Sequence, residues 1–399
     1  MRFVPLLALL LMAAQLSAAA FSHDVTVAAE LRVRDGLPNV FAKLQKGRPV
    51  RIGYLGGSIT AADGWRLKTL AWFRSQWPAA TIIEINAAIS GTGSDYGACR
   101  LQDDVLAHDP DLVLLECRVN GGAGYEAKSV EGIVRQVWQH NPNTDICFVY
   151  TISQSMLQDL QVGKNTPFGS IMEAIANAYG IPSIDLGVEV ARREKEGSLI
   201  FTSLEPSAHK LVFSKDGTHP NDAGHDLYRD VIARCLLKMQ HPTALAVRPH
   251  TLLTPLEPNC WQVACLLPIT RCQLSSGWMP VEPANDPVYT DDKGRTDAML
   301  RGAVKCSQTG QTITVRWIGT TFGLSDIPYA GGSVIEAMVD GGPPITIQRL
   351  QIDKTRKYAR FWYLPEQRPG LHIAILTVRQ VPANGFFYAG QILIVGQPR

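Results

Sequence analysis

In the first half of the chain, apolar residues form short continuous runs that alternate with helix-like stretches. The apolar runs, which predict strands, are residues 51–55, 81–86, 111–116, 145–150 and 182–185. The patterns between them, which predict helices, are residues 65–77, 97–108, 129–140, 168–179 and 222–239. Runs that are apolar throughout, rather than at every second position, are expected of strands covered on both faces. The alternation therefore predicts an α/β fold, a doubly wound parallel sheet with helices on both sides.

Beyond residue 240 the pattern changes to short runs in which apolar and polar residues alternate. These runs are residues 312–318, 333–339, 345–350, 359–364 and 372–378. Four prolines between residues 242 and 258 interrupt the chain before them, and turn sequences such as Asp340-Gly341-Gly342-Pro343 separate them. Short, regularly spaced strands with such turns are typical of an antiparallel β-sandwich. We therefore expect an α/β domain at residues 25–240 and a β-sandwich domain at residues 245–399.

The first 20 residues have the pattern of a secretory signal peptide. Arg2 supplies a positive charge, residues 4–12 are apolar, and residues 17–20 are small, as at a cleavage site. The apolar run is shorter than the roughly 20 residues that a membrane-spanning helix requires. We predict a signal peptide at residues 1–20 and an exported protein, periplasmic or extracellular, with no integral membrane span after cleavage. An uncleaved anchor is the alternative.

Charge and cysteine spacing narrow the classes of partner. The formal net charge is +2 and no long basic tract is present, so neither nucleic acid nor an anionic membrane is an expected partner. The cysteines lack the paired short spacings of a zinc site, and we predict neither a metal nor a cofactor. Cys117 and Cys147 lie in apolar runs and are predicted to be buried thiols. The candidates for disulfides, with their pairing left open, are Cys260, Cys265, Cys272 and Cys306.

Ser58 is the candidate nucleophile. It stands where the first predicted strand ends, directly after Gly56 and Gly57. Glycines at that place allow a sharp turn and the close approach of a substrate carbonyl. A serine hydroxyl needs an adjacent base to act as a nucleophile, and without one the segment is an ordinary strand-ending turn. A base elsewhere in the chain therefore decides between the two interpretations.

Asp216 and His219 are the candidates for that base. A carboxylate three residues before a histidine can accept a hydrogen bond from one ring nitrogen while the other nitrogen faces the nucleophile. The alternative is a surface turn at Asp216-Gly217 followed by a helix cap at Asn221 or Asp222. The two interpretations are compatible, because a cap after the histidine does not occupy its ring.

Two further segments offer donors for the negative charge of a tetrahedral intermediate. Ser90-Gly91-Thr92-Gly93 follows the second predicted strand, and Asn120 follows the third. Because the carboxyl ends of parallel strands meet at one edge of a sheet, both segments are expected to lie on the same rim as Ser58. Taken singly, each segment is also a plausible turn, since glycine and asparagine are ordinary turn residues.

Along the chain the four blocks are those of Ser58, of Gly91, of Asn120 and of Asp216 with His219. In this order they resemble the SGNH (GDSL-like) hydrolase superfamily over roughly residues 50–240. The resemblance implies a flavodoxin-like three-layer sandwich with about five parallel strands and assigns residues 25–240 to a catalytic domain. It implies that Ser58 is the nucleophile, that His219 is the base and that Asp216 orients it. It also implies an oxyanion hole formed by the N–H groups of Ser58 and Gly91 and by the side chain of Asn120.

The sequence departs from the family pattern at two positions. Gly57 stands where an Asp often precedes the serine, and Gly121 stands where an Asp commonly follows the asparagine. The first change leaves the nucleophile in place. The second removes a carboxylate that could fasten the Asn120 loop.

The resemblance, the predicted export and the appended β-sandwich together suggest an exported serine esterase. Such an enzyme would remove ester-linked acyl groups, acetyl first among them, from a polysaccharide or oligosaccharide. An O-acyltransferase that uses the same triad is the alternative, and a non-catalytic glycan-binding protein, a lipase or a thioesterase is less favoured. The sequence leaves the oligomeric state open.

Several other residues invite a functional interpretation, but a structural one is favoured for each. His225 is expected to pack or to cap a helix, and Glu116 and Arg118 to support the end of the third predicted strand. Aromatic residues of the second half could stack on sugars but more often fill a core. They are Trp261, Trp278, Trp317, Trp362, Phe386 and Phe387.

Overall fold

The structure, a computed structural model, describes residues 21–240, 247–286, 288, 293–328, 332–350 and 358–399. The predicted signal peptide at residues 1–20 lies outside the described residues. Within the described ranges, no helix is both long enough and apolar enough to cross a bilayer.

The first half is built on a six-stranded sheet with the order β1-β6-β5-β4-β2-β3. Its strands are β1 Leu31–Arg32, β2 Val50–Gly56, β3 Ile82–Ala88, β4 Leu112–Leu115, β5 Asp145–Tyr150 and β6 Ser183–Asp185. Strands β2 to β6 run parallel, and β1 pairs antiparallel with β6 at the edge. Every residue of β4 and β5 is buried, as expected of strands covered on both faces. The predicted parallel sheet of about five strands is confirmed, and β1 was missed.

Helices cover both faces of this sheet and form two apolar layers. The helices are α1 Pro38–Gln45, α2 Ser58–Ala61, α3 Trp65–Gln76, α4 Ser94–Asp104, α5 Glu126–His140, α6 Leu157–Gln161, α7 Pro167–Tyr179, α8 Leu186–Lys195 and α9 Asp222–Met239. One face packs against α1, α3, α8 and α9, and the other packs against α4, α5 and α7. A short parallel pair, β7 Leu199–Thr202 and β8 Leu211–Ser214, precedes α9.

The second half is an antiparallel β domain, as predicted. Its elements are β9 Ala264–Leu267, β10 Gln273–Leu274, β11 Met279–Pro280, α10 Lys293–Met299, β12 Val304–Cys306, β13 Thr312–Asp326, β14 Ser333–Val339, β15 Ile345–Arg349, β16 Arg360–Tyr363, β17 Gly370–Gln380 and β18 Phe387–Pro398. In the described residues these strands form one ten-stranded hydrogen-bonded network. Strand β18 lies between β12 and β13 and also pairs with β9. It was missed because its first ten residues are all buried, so its sequence does not alternate.

The two halves share a continuous apolar core. Tyr125, next to α5, contacts Trp261 and Tyr363 of the second half at ring-centroid distances of 4.8 and 5.6 Å. Tyr96 of α4 stacks on Phe361 of β16 at 5.0 Å. Helix α4 begins directly after residues 90–93, so the second half packs beside the loop that was predicted to supply an oxyanion donor.

The cysteines and aromatic residues follow the structural interpretation. All eight cysteines are unpaired thiols, with Cys117 and Cys147 buried as predicted. The expectation of disulfides in the later cluster is therefore wrong in this structure. The aromatic side chains considered as sugar-stacking faces are largely internal, and the buried ones are Trp261, Trp317, Trp362 and Phe387.

Candidate active site

Ser58, His219 and Asp216 lie in hydrogen-bond contact, although 161 positions separate the first two along the chain. Ser58 is the first residue of α2, separated from the end of β2 by Gly57 alone, and its Oγ is 2.8 Å from Nε2 of His219. Nδ1 of His219 is 2.7 Å from Oδ2 of Asp216. A carboxylate on Nδ1 fixes the tautomer in which Nε2 can accept the serine proton. The geometry is that of a nucleophile, a base and a residue that orients the base.

The loop that carries the base is held by its own carboxylate. Oδ1 of Asp216 accepts hydrogen bonds from the backbone N–H groups of Thr218 and His219 at 2.9 and 2.8 Å, and from the hydroxyl of Ser214 at 3.1 Å. Partial burial acts to raise the pKa of Asp216, but the hydrogen bonds from His219 and Thr218 outweigh it and lower that pKa. Asp216 is therefore ionised over the physiological range, which the orienting role requires.

The turn that carries the nucleophile is hydrogen-bonded to Glu116, which follows β4 and is fully buried. Its carboxylate accepts hydrogen bonds from the hydroxyls of Thr60 and Thr151 at 2.8 and 2.7 Å, and a long one from the N–H of Gly57 at 3.4 Å. Burial raises the pKa of Glu116, and the three donors oppose that shift. The side chain thus connects the Ser58 turn to the ends of two neighbouring strands.

The departure at Gly57 has a steric explanation. A Cβ atom at this position would lie 2.0 Å from Oδ1 of Asn120. With Asn120 in this position, only glycine fits at position 57 without a shift of that side chain. A side chain at position 57 would therefore require Asn120 to move, and the carboxylate that contacts the turn here is that of Glu116, at the end of β4.

Of the three predicted oxyanion donors, Ser58 lies at the start of α2, Gly91 on the loop that follows β3 and Asn120 on the loop that follows β4. Gly91 has a φ of +66°, a left-handed conformation that favours glycine. In the part of the chain that the structure describes, no protein acceptor takes the N–H of Ser58, the N–H of Gly91 or the side-chain amide of Asn120. Three donors on one rim are thus available to a ligand. Such donors are what a developing oxyanion requires.

The Asn120 loop is fastened without the carboxylate that the family pattern commonly places at position 121. The N–H groups of Asn120 and Gly121 donate to the carbonyl of Cys117 at 3.1 and 3.0 Å, and Ser94 N–H donates to the carbonyl of Gly121 at 2.9 Å. Glu126 Oε1 accepts from the N–H groups of Gly122 and Gly124, each at 3.2 Å. A carboxylate from α5 therefore supports this loop.

Arg118 and His225 have structural roles. The Arg118 guanidinium forms a two-point pair with the buried carboxylate of Asp185 at 2.6 and 2.8 Å. Nδ1 of His225 accepts from the N–H of Trp65 at 3.1 Å and so caps the start of α3. Burial, aided by the charge of Lys68, lowers the pKa of His225 to about 4. His225 is therefore neutral at physiological pH and can act as that acceptor.

Sequence reasoning missed the residues that support the site. Thr60 and Thr151 gave no signal by themselves, because their partner Glu116 reaches them only in the folded sheet. Ser214 lies two residues before Asp216, and that spacing alone indicates a local hydroxyl–carboxylate contact. Among the described residues, no group of three or more His, Cys, Asp or Glu side chains is placed to hold a metal ion.

Comparison with known proteins gives similarities for both halves. Residues 54–227 match the model of the GDSL-like Lipase/Acylhydrolase family. Over 193 residues the chain is 25% identical to thioesterase 1/protease 1/lysophospholipase L1 of Escherichia coli strain K12, a match that covers 46% of this chain and 81% of that protein. A crystal structure of a two-domain esterase active on acetylated mannans superposes with a TM-score of 0.74 at 21% identity, covering 94% of this chain and 98% of that one.

The same two-domain esterase, co-crystallised with mannopentaose, also gives a TM-score of 0.74, at 20% identity and with 94% of this chain and 97% of that chain covered. Because nearly the whole of each chain is covered, the likeness extends over both halves. It shows a common two-domain fold.

Proposed function

We propose that this ester hydrolase, whose residues 54–227 match the GDSL-like lipase/acylhydrolase family, is a carbohydrate acetylesterase. It works through an acyl-enzyme formed on Ser58. The observation that carries the proposal is the continuous line of contacts from Asp216 through His219 to Ser58, at 2.7 and 2.8 Å. A serine, a base and a carboxylate in this arrangement are the requirements for acyl transfer.

In the acylation step, Nε2 of His219 takes the proton of the Ser58 hydroxyl as Oγ attacks the ester carbonyl. The negative charge that forms on the carbonyl oxygen is received by the N–H groups of Ser58 and Gly91 and by the amide of Asn120. His219 then gives its proton to the leaving sugar oxygen as the ester C–O bond breaks. The products of this step are a sugar with a free hydroxyl and an acyl group on Ser58.

In the deacylation step, a water molecule takes the place of the leaving sugar. His219 removes a proton from the water, whose oxygen attacks the acyl carbonyl in the same oxyanion hole. Collapse of the intermediate returns the proton to Ser58 and releases the carboxylic acid. The His219 side chain is 48% exposed, so water can approach the base from solvent.

The carbohydrate substrate is supported by the two-domain likeness. The superposed esterase acts on acetylated mannans, and it carries the same pair of domains over 98% of its length. We infer that acetylated polysaccharide of this type is the substrate class here. Export, which residues 1–20 predict, would bring the enzyme to such a substrate.

The test is acetate release from a panel of acetylated mannan, acetylated xylan and 4-nitrophenyl acetate, with and without an added acceptor oligosaccharide. We expect acetate from acetylated mannan without an acceptor, and no release by Ser58→Ala. Turnover only in the presence of the acceptor would instead identify an O-acyltransferase. Release by Ser58→Ala at the wild-type rate would refute the serine mechanism.

A further inference from the structure

Arg295 comes from the second half of the chain and contacts the oxyanion loop of the first half. It lies in α10, and its side chain is buried, with the residue only 8% exposed. Its Nη1 donates to the carbonyl oxygen of Ser90 at 2.6 Å, and its Nε donates to the carbonyl oxygen of Ala359 at 2.6 Å. The guanidinium also lies over the ring of Tyr358, 5.2 Å from its centroid. One planar group thus connects the β domain to residue 90.

The carbonyl of Ser90 and the N–H of Gly91 belong to the same peptide group. A peptide unit is planar and trans, so its N–H points in the direction opposite to its C=O. By holding the carbonyl of Ser90, Arg295 fixes the direction of the Gly91 N–H, which points away from the guanidinium. A charge-assisted hydrogen bond on the carbonyl also polarises the peptide and strengthens its N–H as a donor.

The fit around Gly91 indicates that this contact is close. A Cβ atom at position 91 would lie 2.1 Å from Nη1 of Arg295. Glycine is therefore required both for its φ of +66° and for the approach of the guanidinium. In the described residues, no donor other than Arg295 reaches the carbonyl of Ser90.

Helix α10 is itself anchored on the β domain. The hydroxyl of Ser325 in β13 donates to the carbonyl of Met299, the last residue of α10, at 2.7 Å. Gly390 of β18 packs so close that a Cβ there would lie 2.8 Å from the same carbonyl. Contacts with β13 and β18 of the β domain therefore fix the position of the helix that carries Arg295.

We propose that Arg295 is a positioning residue for catalysis, which aims the Gly91 N–H at the oxyanion and makes the β domain part of the catalytic machinery. This inference rests on the proposed function, since it requires Gly91 to be an oxyanion donor. It gives the second half a role in the chemical step that is separate from any role in sugar binding.

The test compares Arg295→Met and Arg295→Lys with Lys128→Met. Lys128 is a matched control, because its Nζ pairs with Glu366 across the same domain interface at 2.5 Å but does not contact residues 90–93. Each protein is assayed with 4-nitrophenyl acetate for kcat and KM. Each is also titrated with a fluorophosphonate, which reports the rate constant of Ser58 phosphonylation and the number of reactive serines per chain.

For Arg295→Met we expect kcat and the phosphonylation rate constant to fall roughly 10- to 100-fold, less than the loss of a whole oxyanion donor. KM and the count of one reactive serine per chain should stay near the wild-type values. Arg295→Lys should recover part of the rate, because an ammonium can reach one carbonyl but cannot hold both. Lys128→Met should react at the wild-type rate.

A purely structural role for Arg295 predicts a different result, namely fewer reactive serines that react at the wild-type rate. That result, or an unchanged rate in Arg295→Met, would overturn the inference. If Arg295→Met does not fold, a wild-type rate constant in Arg295→Lys overturns it equally. Ser58→Ala separates the two proposals. If this variant is phosphonylated or turns over substrate, the serine mechanism itself is wrong. If Ser58→Ala is inactive but the Arg295 variants react at the wild-type rate, only the positioning role is wrong.

Discussion

The two sides of the site are stabilised in opposite ways. The Ser58 turn rests on Glu116 and Thr60, both fully buried, whereas the side chains of Asp216 and His219 are 55% and 48% exposed. The nucleophile is thus positioned by the interior of the sheet, and the base is positioned by a hydrogen-bonded loop of four residues. A substitution on the exposed side should therefore reduce activity with little effect on stability, and one on the buried side should reduce both.

The largest effect is expected on the exposed side, from Asp216→Asn. Because an amide cannot hold His219 in the required tautomer or stabilise the imidazolium, kcat should fall by about 10⁴-fold. The midpoint of thermal unfolding should change little, since both side chains are solvent-exposed. The measurements are kcat with 4-nitrophenyl acetate and Tm by circular dichroism. Activity within ten-fold of wild type would remove Asp216 from the triad.

The next effect is expected from Asn120→Ala, on the rim between the two sides. Loss of one oxyanion donor should lower kcat by about 100- to 1000-fold. The loop itself should persist, because the backbone hydrogen bonds to Cys117 do not involve the side chain. Asn120→Asp is the matched variant: it keeps the size of the side chain but places a negative charge at the oxyanion, so it should be at least as inactive. A fully active Asn120→Ala would exclude this residue from the oxyanion hole.

On the buried side, Glu116→Ala should reduce both properties. It leaves a cavity and two hydroxyls without their acceptor, which should cost about 3 kcal/mol in the free energy of unfolding. Displacement of the Ser58 turn should also lower kcat by about 10-fold. Glu116→Gln is the control, since its carbonyl oxygen can still accept and a rotated threonine hydroxyl can accept from its amide. If Glu116→Ala were as stable as the wild type, the buried side of the site would not differ from the exposed side in its effect on stability.

The smallest effect concerns pH and the cap of α3. The pKa of His225 falls from 6.5 to about 4 on folding, so the unfolded chain binds a proton between these values that the folded chain does not. The contribution of His225 to the free energy of unfolding is therefore complete above pH 6.5 and is lost as the pH falls towards 4. At pH 5 the loss is about 2 kcal/mol. Urea denaturation from pH 7 to pH 4.5 should show a flatter dependence in His225→Gln. An identical slope in the two proteins would contradict this account.

The same contrast explains what the sequence could predict. Asp216 and His219 lie three residues apart and form their contact within one loop, so their spacing alone carried the prediction. Ser58 and Asn120 were predicted as site residues because strand ends in a parallel sheet meet at one edge. The contacts of Glu116 with Thr60, and of Arg295 with Ser90, join distant segments, and no local pattern indicates them. Strand β18 was not predicted for a related reason. It is buried on both faces, so its sequence lacks the alternation of apolar and polar residues that marks its neighbours.

Strand β18 also determines when the site can be completed during biosynthesis. Its partner β9 lies roughly 125 residues earlier in the chain, and β18 follows the whole α/β half, so this pairing can form only after residues 387–398 have been synthesised. Ser58 and His219 both lie in the half that is synthesised first, whereas the contacts that hold α10 come from β13 and β18, which are synthesised later. If Arg295 positions the oxyanion loop, a newly made chain has an assembled triad before it has a competent enzyme. The last folding event would then act as the activating step.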